Sequence, residues 1–175
     1  MKKIIAFLLA AMMLFALCAC GGESGEAEDN KESESYTPDY GELYYEAKGL
    51  KFGIMDYAEG VFDVLGEPMD TFESESCAYQ GSDYFYYYDG FEVMTNEIDG
   101  EMRITGITVD DDTVQNPQGV KIGMDIEEAL SLMGDGYTQN GAVYKFITGS
   151  TLLMIKAGDD NTVSAIEYAV AANQE

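Results

Sequence analysis

GVKIGMDIEEALSLMG, at residues 119–134, has an earlier counterpart in the same chain: residues 49–66 read GLKFGIMDYAEGVFDVLG. Each copy runs from a glycine through an aliphatic residue and a lysine to a second glycine. An aspartate follows, and then an amphipathic run that ends in an apolar residue and glycine. The repetition indicates that one structural unit occurs twice in the chain.

Each copy predicts a short helix with a defined start. Asp125 with Glu128, and Asp56 with Glu59, have the three-residue spacing of a capping box. Behind the cap, apolar residues recur at i, i+3, i+4 and i+7, which is the pattern of one buried helical face. They are Ile126, Ala129, Leu130 and Met133 in the second copy and Ala58, Val61, Phe62 and Leu65 in the first. A glycine after each run is typical of a helix end.

Three strands are predicted after each helix, separated by Asp-Gly and similar turn signals. In the first copy they span residues 84–88, 91–95 and 103–109, and in the second 143–147, 151–156 and 163–168. A unit of about 60 residues buries too little surface to be stable alone. We therefore predict an α+β fold in which two tandem helix-strand-strand-strand repeats, about 49–112 and 119–171, form one antiparallel sheet with the short helices packed on one face.

Residues 121–134, KIGMDIEEALSLMG, and residues 52–68, FGIMDYAEGVFDVLGEP, followed by an aromatic strand and two more strands, resemble the SmpA/OmlA small-lipoprotein module and the tandem β-lactamase-inhibitor-protein-like fold. That resemblance implies a short helical segment before three or four antiparallel strands, tandem copies in one curved sheet, and protein binding by the sheet face. It does not imply binding to a β-lactamase or assembly of outer-membrane proteins. The chain departs from the pattern in the second copy, which lacks a proline after Gly134, and in the first, which has an insertion before its aromatic strand.

The N-terminus predicts export and lipid anchoring. After Lys2 and Lys3, residues 4–19 carry no charge, and as a helix they are about 24 Å long, short of the roughly 30 Å hydrocarbon core. This is typical of a secretory signal peptide. Its end, LCACG, resembles a bacterial lipobox with Cys20 as the lipid attachment site; the alternative is an ordinary cleaved signal with an incidental cysteine. We predict a signal peptide at 1–19, the lipidated Cys20 with an acidic flexible tether at 20–47, and the repeat domain at 48–175.

Charge excludes several classes of partner. The sequence has 33 acidic and nine basic residues, and removal of residues 1–19 takes away two lysines, so the mature chain has seven basic residues and a net charge of −26. Such a chain is not expected to bind nucleic acid or anionic lipid headgroups by electrostatic attraction. Its contact with the membrane is predicted to be through the lipid anchor alone.

The sequence contains no histidine, which removes His-dependent triads and dyads and His-containing zinc sites. Cys77 is predicted to be a lone, partly buried free thiol, with a mixed disulfide to a partner as the alternative. The acidic runs at 110–112 and 159–160 favour solvated turns over calcium or carboxylate catalysis. We therefore expect no enzyme activity, no catalytic residue, no metal site and no cofactor.

The aromatic run at 84–88 predicts a binding surface. Matching Phe85 with Tyr144 and Tyr87 with Phe146, an offset of 59 residues, turns Phe85 and Tyr87 toward the helices. Period-two alternation then places the remaining tyrosines on the uncovered face. The predicted binding residues are Tyr84, Tyr86, Tyr88 and, from the next strand, Met94.

Tyrosine and methionine on an open sheet are typical of protein interfaces. The alternative is that the tyrosines stabilise the sheet through cross-strand pairs or are covered by residues 40–47. The chain is thus predicted to be a lipid-anchored extracytoplasmic binding protein for an unidentified envelope or extracellular protein or peptide. The alternative function is binding of a glycan or another small envelope ligand.

Overall fold

The computed structural model describes residues 42–172, so the predicted signal peptide, Cys20 and most of the predicted tether lie outside the described residues. The described residues contain two helices, α1 (Ala58–Leu65) and α2 (Ile126–Met133). A two-stranded hairpin comprises β1 (Tyr45–Ala47) and β2 (Leu50–Phe52). The large sheet comprises β3 (Asp70–Glu75), β4 (Ser82–Tyr88), β5 (Phe91–Ile98), β6 (Glu101–Val109), β7 (Tyr137–Asn140), β8 (Val143–Thr148), β9 (Thr151–Ala157) and β10 (Val163–Val170).

The predicted α+β class with helix-strand-strand-strand repeats is wrong. Residues 42–172 are mostly β, with 49% strand and 12% helix, and an eight-stranded antiparallel sheet is their main element. Each helix precedes four strands and not three. The two strands that were not predicted are β3 and β7. Both are edge strands whose side chains are almost all exposed and largely polar, DTFESE and YTQN, so neither shows the apolar alternation that reveals a half-buried strand.

The sheet has the strand order β3-β4-β5-β6-β10-β9-β8-β7. Its halves meet where β6 pairs with β10, through partners such as Ile107 with Tyr168 and Val109 with Ile166. Residues that are cross-strand partners lie on the same face of a sheet. The register therefore assigns every strand residue to one of two faces.

One face, here called the inner face, carries the core. Val93, Ile107, Ile155 and Ile166 are fully buried in one hydrophobic cluster with side chains of both helices and of the small hairpin. The Tyr45 ring of β1 lies 5.1 Å from the Phe91 ring and 6.1 Å from the Tyr168 ring, and the Phe62 ring of α1 lies 4.3 Å from the Tyr86 ring. The opposite face is called the outer face. The helices and the hairpin thus cover the inner face.

The two helices begin differently. Asp125 caps α2 as predicted, since its carboxylate accepts hydrogen bonds from the backbone N–H groups of Glu127 at 2.9 Å and Glu128 at 3.2 Å. The capping box predicted for Asp56 is wrong, because α1 starts one residue later relative to its aspartate and Tyr57 occupies the N-cap position. Asp56 instead accepts a hydrogen bond from the backbone N–H of Gly53 at 2.8 Å.

Within residues 42–172, neither helix is long and apolar enough to cross a bilayer.

Candidate functional site

An apolar row crosses the outer face. Successive cross-strand partners on seven strands, from β3 through β6 and β10 to β8, are all apolar or glycine. In order across the sheet they are Phe72, Phe85, Met94, Gly106, Ala169, Leu152 and Ile147. At about 4.8 Å between strands, the row is roughly 29 Å long.

The ends of the row are the most exposed. Phe72 is 57% exposed and Ile147 is 44% exposed, while Phe85, Met94 and Leu152 are half-buried. The Phe72 and Phe85 rings lie 5.8 Å apart at 40°. This row is the largest continuous apolar feature that the register places on the outer face.

At Gly106, the side chain of its cross-strand partner Met94 covers the row. A Cβ atom added to Gly106 would lie 3.1 Å from the Met94 Cε atom and 3.3 Å from its Cβ atom. Gly106 itself is buried under this side chain. The thioether therefore fills the middle of the row, where a larger residue at position 106 would displace it.

A polar row runs beside the apolar row, and its charge changes sign along the sheet. Its carboxylates belong to β3, β5 and β10, whereas its lysine belongs to β8. In order its members are Asp70, Tyr87, Glu92, Thr108, Glu167, Met154, Lys145 and Thr138. Partial burial and the charge of Asp110 raise the pKa of Glu92, and its hydrogen bond with Tyr87 opposes that shift.

On the other side of the apolar row, the outer face has a buried hydrogen-bond network. The Asn96 amide donates to the Asp83 carboxylate and to the Ser82 carbonyl at 3.1 Å, and the Thr105 hydroxyl donates to the Asn96 side-chain oxygen at 2.6 Å. The β5–β6 register shifts next to it, between Met94 and Thr95. Because Asn96 and Thr105 are buried and bonded to each other, this network serves the sheet structure.

The predicted binding tyrosines lie on the inner face. Tyr84 pairs with Thr95, Tyr86 with Val93, and Tyr88 with Phe91. The prediction that these tyrosines share the uncovered face with Met94 is therefore wrong, since Met94 pairs with Phe85 on the outer face.

Tyr88 belongs to the core. It is 6% exposed, its ring stacks on Phe91 at 5.1 Å, and its hydroxyl donates to the Gly66 carbonyl at 3.2 Å. Phe85 and Tyr87, which were predicted to face the helices, lie on the outer face instead. Of the four predicted residues, only Met94 is on the outer face.

The tyrosines were assigned to the wrong face because the two halves of the chain were matched with an error of one residue. The hairpins pair Tyr88 with Phe91 and Thr148 with Thr151, so the strands correspond at an offset of 60 residues, not 59. A slip of one residue moves every side chain of a strand to the other face. The two-residue Asp89-Gly90 turn carried the correct signal, because it makes Tyr88 and Phe91 partners on one face, and both are buried in the core.

A cleft of about 650 Å³ opens beside the small hairpin. Buried Tyr45, Tyr88 and Phe91 are among its lining residues. The remaining lining residues are Glu46, Ala47, Lys48, Glu67, Met69, Asp89, Thr113, Val114 and Gln115. Its volume is within the range of small-molecule sites, roughly 300–1,000 Å³.

The acidic runs are turns, as predicted. The Asp111 carboxylate accepts hydrogen bonds from the backbone N–H and the hydroxyl of Thr113, and these bonds lower the pKa of Asp111. Asp160 accepts the same pair of bonds from Thr162, with the same effect on its pKa. Across residues 42–172, no group of three or more Asp, Glu, Cys or His side chains is placed to hold a metal ion. Cys77 is a free thiol, but it is exposed, so the predicted partial burial is wrong.

Comparison with known proteins identifies no relative. No protein-family model matches the chain, and neither a curated protein nor a solved structure matches it. The resemblance to the SmpA/OmlA module and the β-lactamase-inhibitor-protein-like fold therefore stays a prediction.

Proposed function

We propose that this chain is a non-enzymatic, lipid-anchored extracytoplasmic protein that binds a protein or peptide partner through the outer face of its sheet. The observation that carries the proposal is the apolar row, which spans seven strands on the face opposite the helices and the hairpin. Exposed apolar surface of this extent is costly in water and is typical of interaction sites.

The size of the face suits a protein partner. Eight strands at about 4.8 Å span roughly 34 Å, and about five residues per strand add roughly 17 Å, so the face projects roughly 600 Å². A standard protein interface buries about 800 Å² on each partner. The half-buried Phe85 and Met94 beside exposed Phe72 supply the aromatic and thioether groups that are enriched in such interfaces.

The location is proposed from the sequence. The lipobox-like LCACG places Cys20 as the acylated first residue of the mature chain, and two acyl chains give stable anchoring. Mass spectrometry of the mature N-terminus should find acylated Cys20. An unmodified N-terminal residue at another position would overturn the anchoring proposal.

The binding face is tested by changing its exposed apolar groups. A Phe72→Ser, Ile147→Ser variant removes both exposed ends of the row. A matched control is Val64→Ser, Leu132→Ser, because these helix residues are each 46% exposed and lie off the sheet. Pull-downs from envelope extract should recover a partner with the parent and the control but not with the face variant. Equal recovery with all three proteins would refute the assigned face.

The cleft supports a second candidate function, binding of a glycan or another small envelope ligand. Its volume of about 650 Å³ suits a small ligand, and the carboxylates, lysine, threonine and glutamine of its lining can form hydrogen bonds with the polar groups of that ligand. A thermal-shift series with cell-wall fragments tests it, because a ligand raises the unfolding midpoint in proportion to the logarithm of its concentration. A midpoint that does not change with any fragment would remove this candidate.

A further inference from the structure

The two edges of the sheet differ in charge. The β3 edge, DTFESE, carries three carboxylates, Asp70, Glu73 and Glu75, and charged side chains are a common protection against unwanted strand pairing. The β7 edge, YTQN, carries no charge and no proline, and all four of its side chains are exposed. Within residues 42–172, β7 pairs only with β8, so its other side presents unpaired backbone groups.

The three strands at the β7 end of the sheet carry no acidic side chain, although the protein is strongly acidic and Asp135 lies two residues before β7. Strands β7, β8 and β9 contain no Asp or Glu but contain Lys145 and Lys156. Both lysines lie on the outer face, and their cross-strand partners are uncharged. These partners are Thr138 and Met154 for Lys145, and Val143 and Ala165 for Lys156.

The inner-face side of β7 is aromatic. The Tyr137 ring is 38% exposed and lies 5.4 Å from the Tyr144 ring and 5.6 Å from the Phe146 ring. A strand added to β7 would therefore meet aromatic surface on one face and lysine on the other. Successive side chains of a strand point to opposite faces.

From these observations we infer that the β7 edge is a docking site for an extended segment of a partner protein in which acidic and apolar residues alternate. The segment adds as a ninth strand, its backbone pairs with β7, its apolar side chains contact Tyr137, and its carboxylates face Lys145. An added strand lies about 10 Å from β8, within reach of a lysine and a glutamate side chain that extend toward each other. The inference goes beyond the proposed function, since it rests on the backbone edge and not on the apolar row.

Two hexapeptide probes test the charge requirement, one alternating valine and glutamate and the other valine and lysine, both acetylated and amidated. Backbone amide shifts of the full chain in detergent micelles are followed at about 0.15 M salt, where charges far from the edge are screened. The glutamate peptide should shift β7 and β8 amides at concentrations up to about 1 mM, and the lysine peptide should bind at least tenfold more weakly. Lys145→Glu should reverse this preference, because it replaces an attraction by a repulsion of similar size.

Strand addition itself is tested by N-methylation of the glutamate peptide at alternate residues, in two versions. The backbone groups of alternate residues point to opposite sides of a strand, so one version blocks pairing with β7 and the other leaves it intact. One version should lose binding and the other should keep it. Loss of binding in both versions or in neither, equal binding of both charge types, shifts confined to the apolar row, or no shift at about 1 mM would each overturn the inference.

Discussion

Asp56→Asn should stabilise the protein at pH 8. Burial is the largest cause that raises the pKa of Asp56 to about 6, from 3.8, while the hydrogen bond from Gly53 and the charge of Arg103 oppose the shift. The folded state therefore holds the Asp56 proton more tightly than the unfolded chain does. The stabilising effect of this protonation is fully present below pH 3.8, and it is lost as the pH rises through about 6.

The size of the effect follows from the shift. About two pKa units correspond to about 3 kcal/mol for a fully buried group. Because Asp56 is half-buried, solvent screening reduces this to about 1–2 kcal/mol. An asparagine oxygen can still accept the hydrogen bond from the Gly53 N–H. Asp56→Asn should thus gain about 1–2 kcal/mol relative to the parent at pH 8 and little at pH 4.

Urea unfolding followed by circular dichroism at pH 4 to 8 measures this difference. At a slope of about 2 kcal/mol/M, the midpoint should rise by about 0.5–1 M at pH 8. Asp125→Asn is the matched control from the repeated motif. It keeps a capping oxygen but removes a carboxylate from a helix N-terminus, so it should lose about 0.3–1 kcal/mol at pH 8. A loss of stability for Asp56→Asn at pH 8, or the same change at every pH, would show that burial of the Asp56 charge does not destabilise the folded state.

Five further substitutions, at four positions, have expected outcomes in the same unfolding assay. Tyr88→Ala should cost about 3–5 kcal/mol because it empties a core site, whereas Phe72→Ala should cost less than about 1 kcal/mol; equal costs would contradict the face assignment. Asp125→Ala should cost about 0.5–2 kcal/mol through loss of two capping bonds, and an unchanged midpoint would show that the cap is dispensable. Gly106→Val should cost about 1–3 kcal/mol by displacing Met94, while Gly106→Ala should cost less, since the Met94 Cε atom is at the end of a flexible side chain; the reverse order would contradict the close contact.

Local pattern was enough for the helices and for the half-buried strands. The apolar spacing from Ile126 to Met133 predicts α2 with the bounds that the structure has, because a buried helical face needs that spacing. Strands such as β9 were found because a short apolar run, Leu152 to Ile155 in β9, is bounded by turn residues. The fold class was nevertheless wrong, since each helix is only eight residues long and the sheet has two more strands than predicted.

The site could not be placed without the register. The face of every residue in β4 depends on whether Tyr86 or Tyr87 is opposite Val93, and an aromatic run on both faces shows no alternation to decide it. The apolar row is also hidden in the sequence, because its members come from seven strands and only cross-strand pairing brings them together. Asp56 and Asp125 show the same limit, since a one-residue difference in helix start gives identical residues different roles.

Site-specific photocrosslinking in the native envelope tests the proposed binding face most directly. A benzophenone side chain is placed at Phe72 or Ile147 on the outer face, and at Val64 or Leu132 on the helices, which have comparable exposure. If the outer face binds a partner, both outer-face positions should form a crosslink to the same protein, and neither helix position should. Crosslinks from the helix positions alone, or none from Phe72 and Ile147, would contradict it.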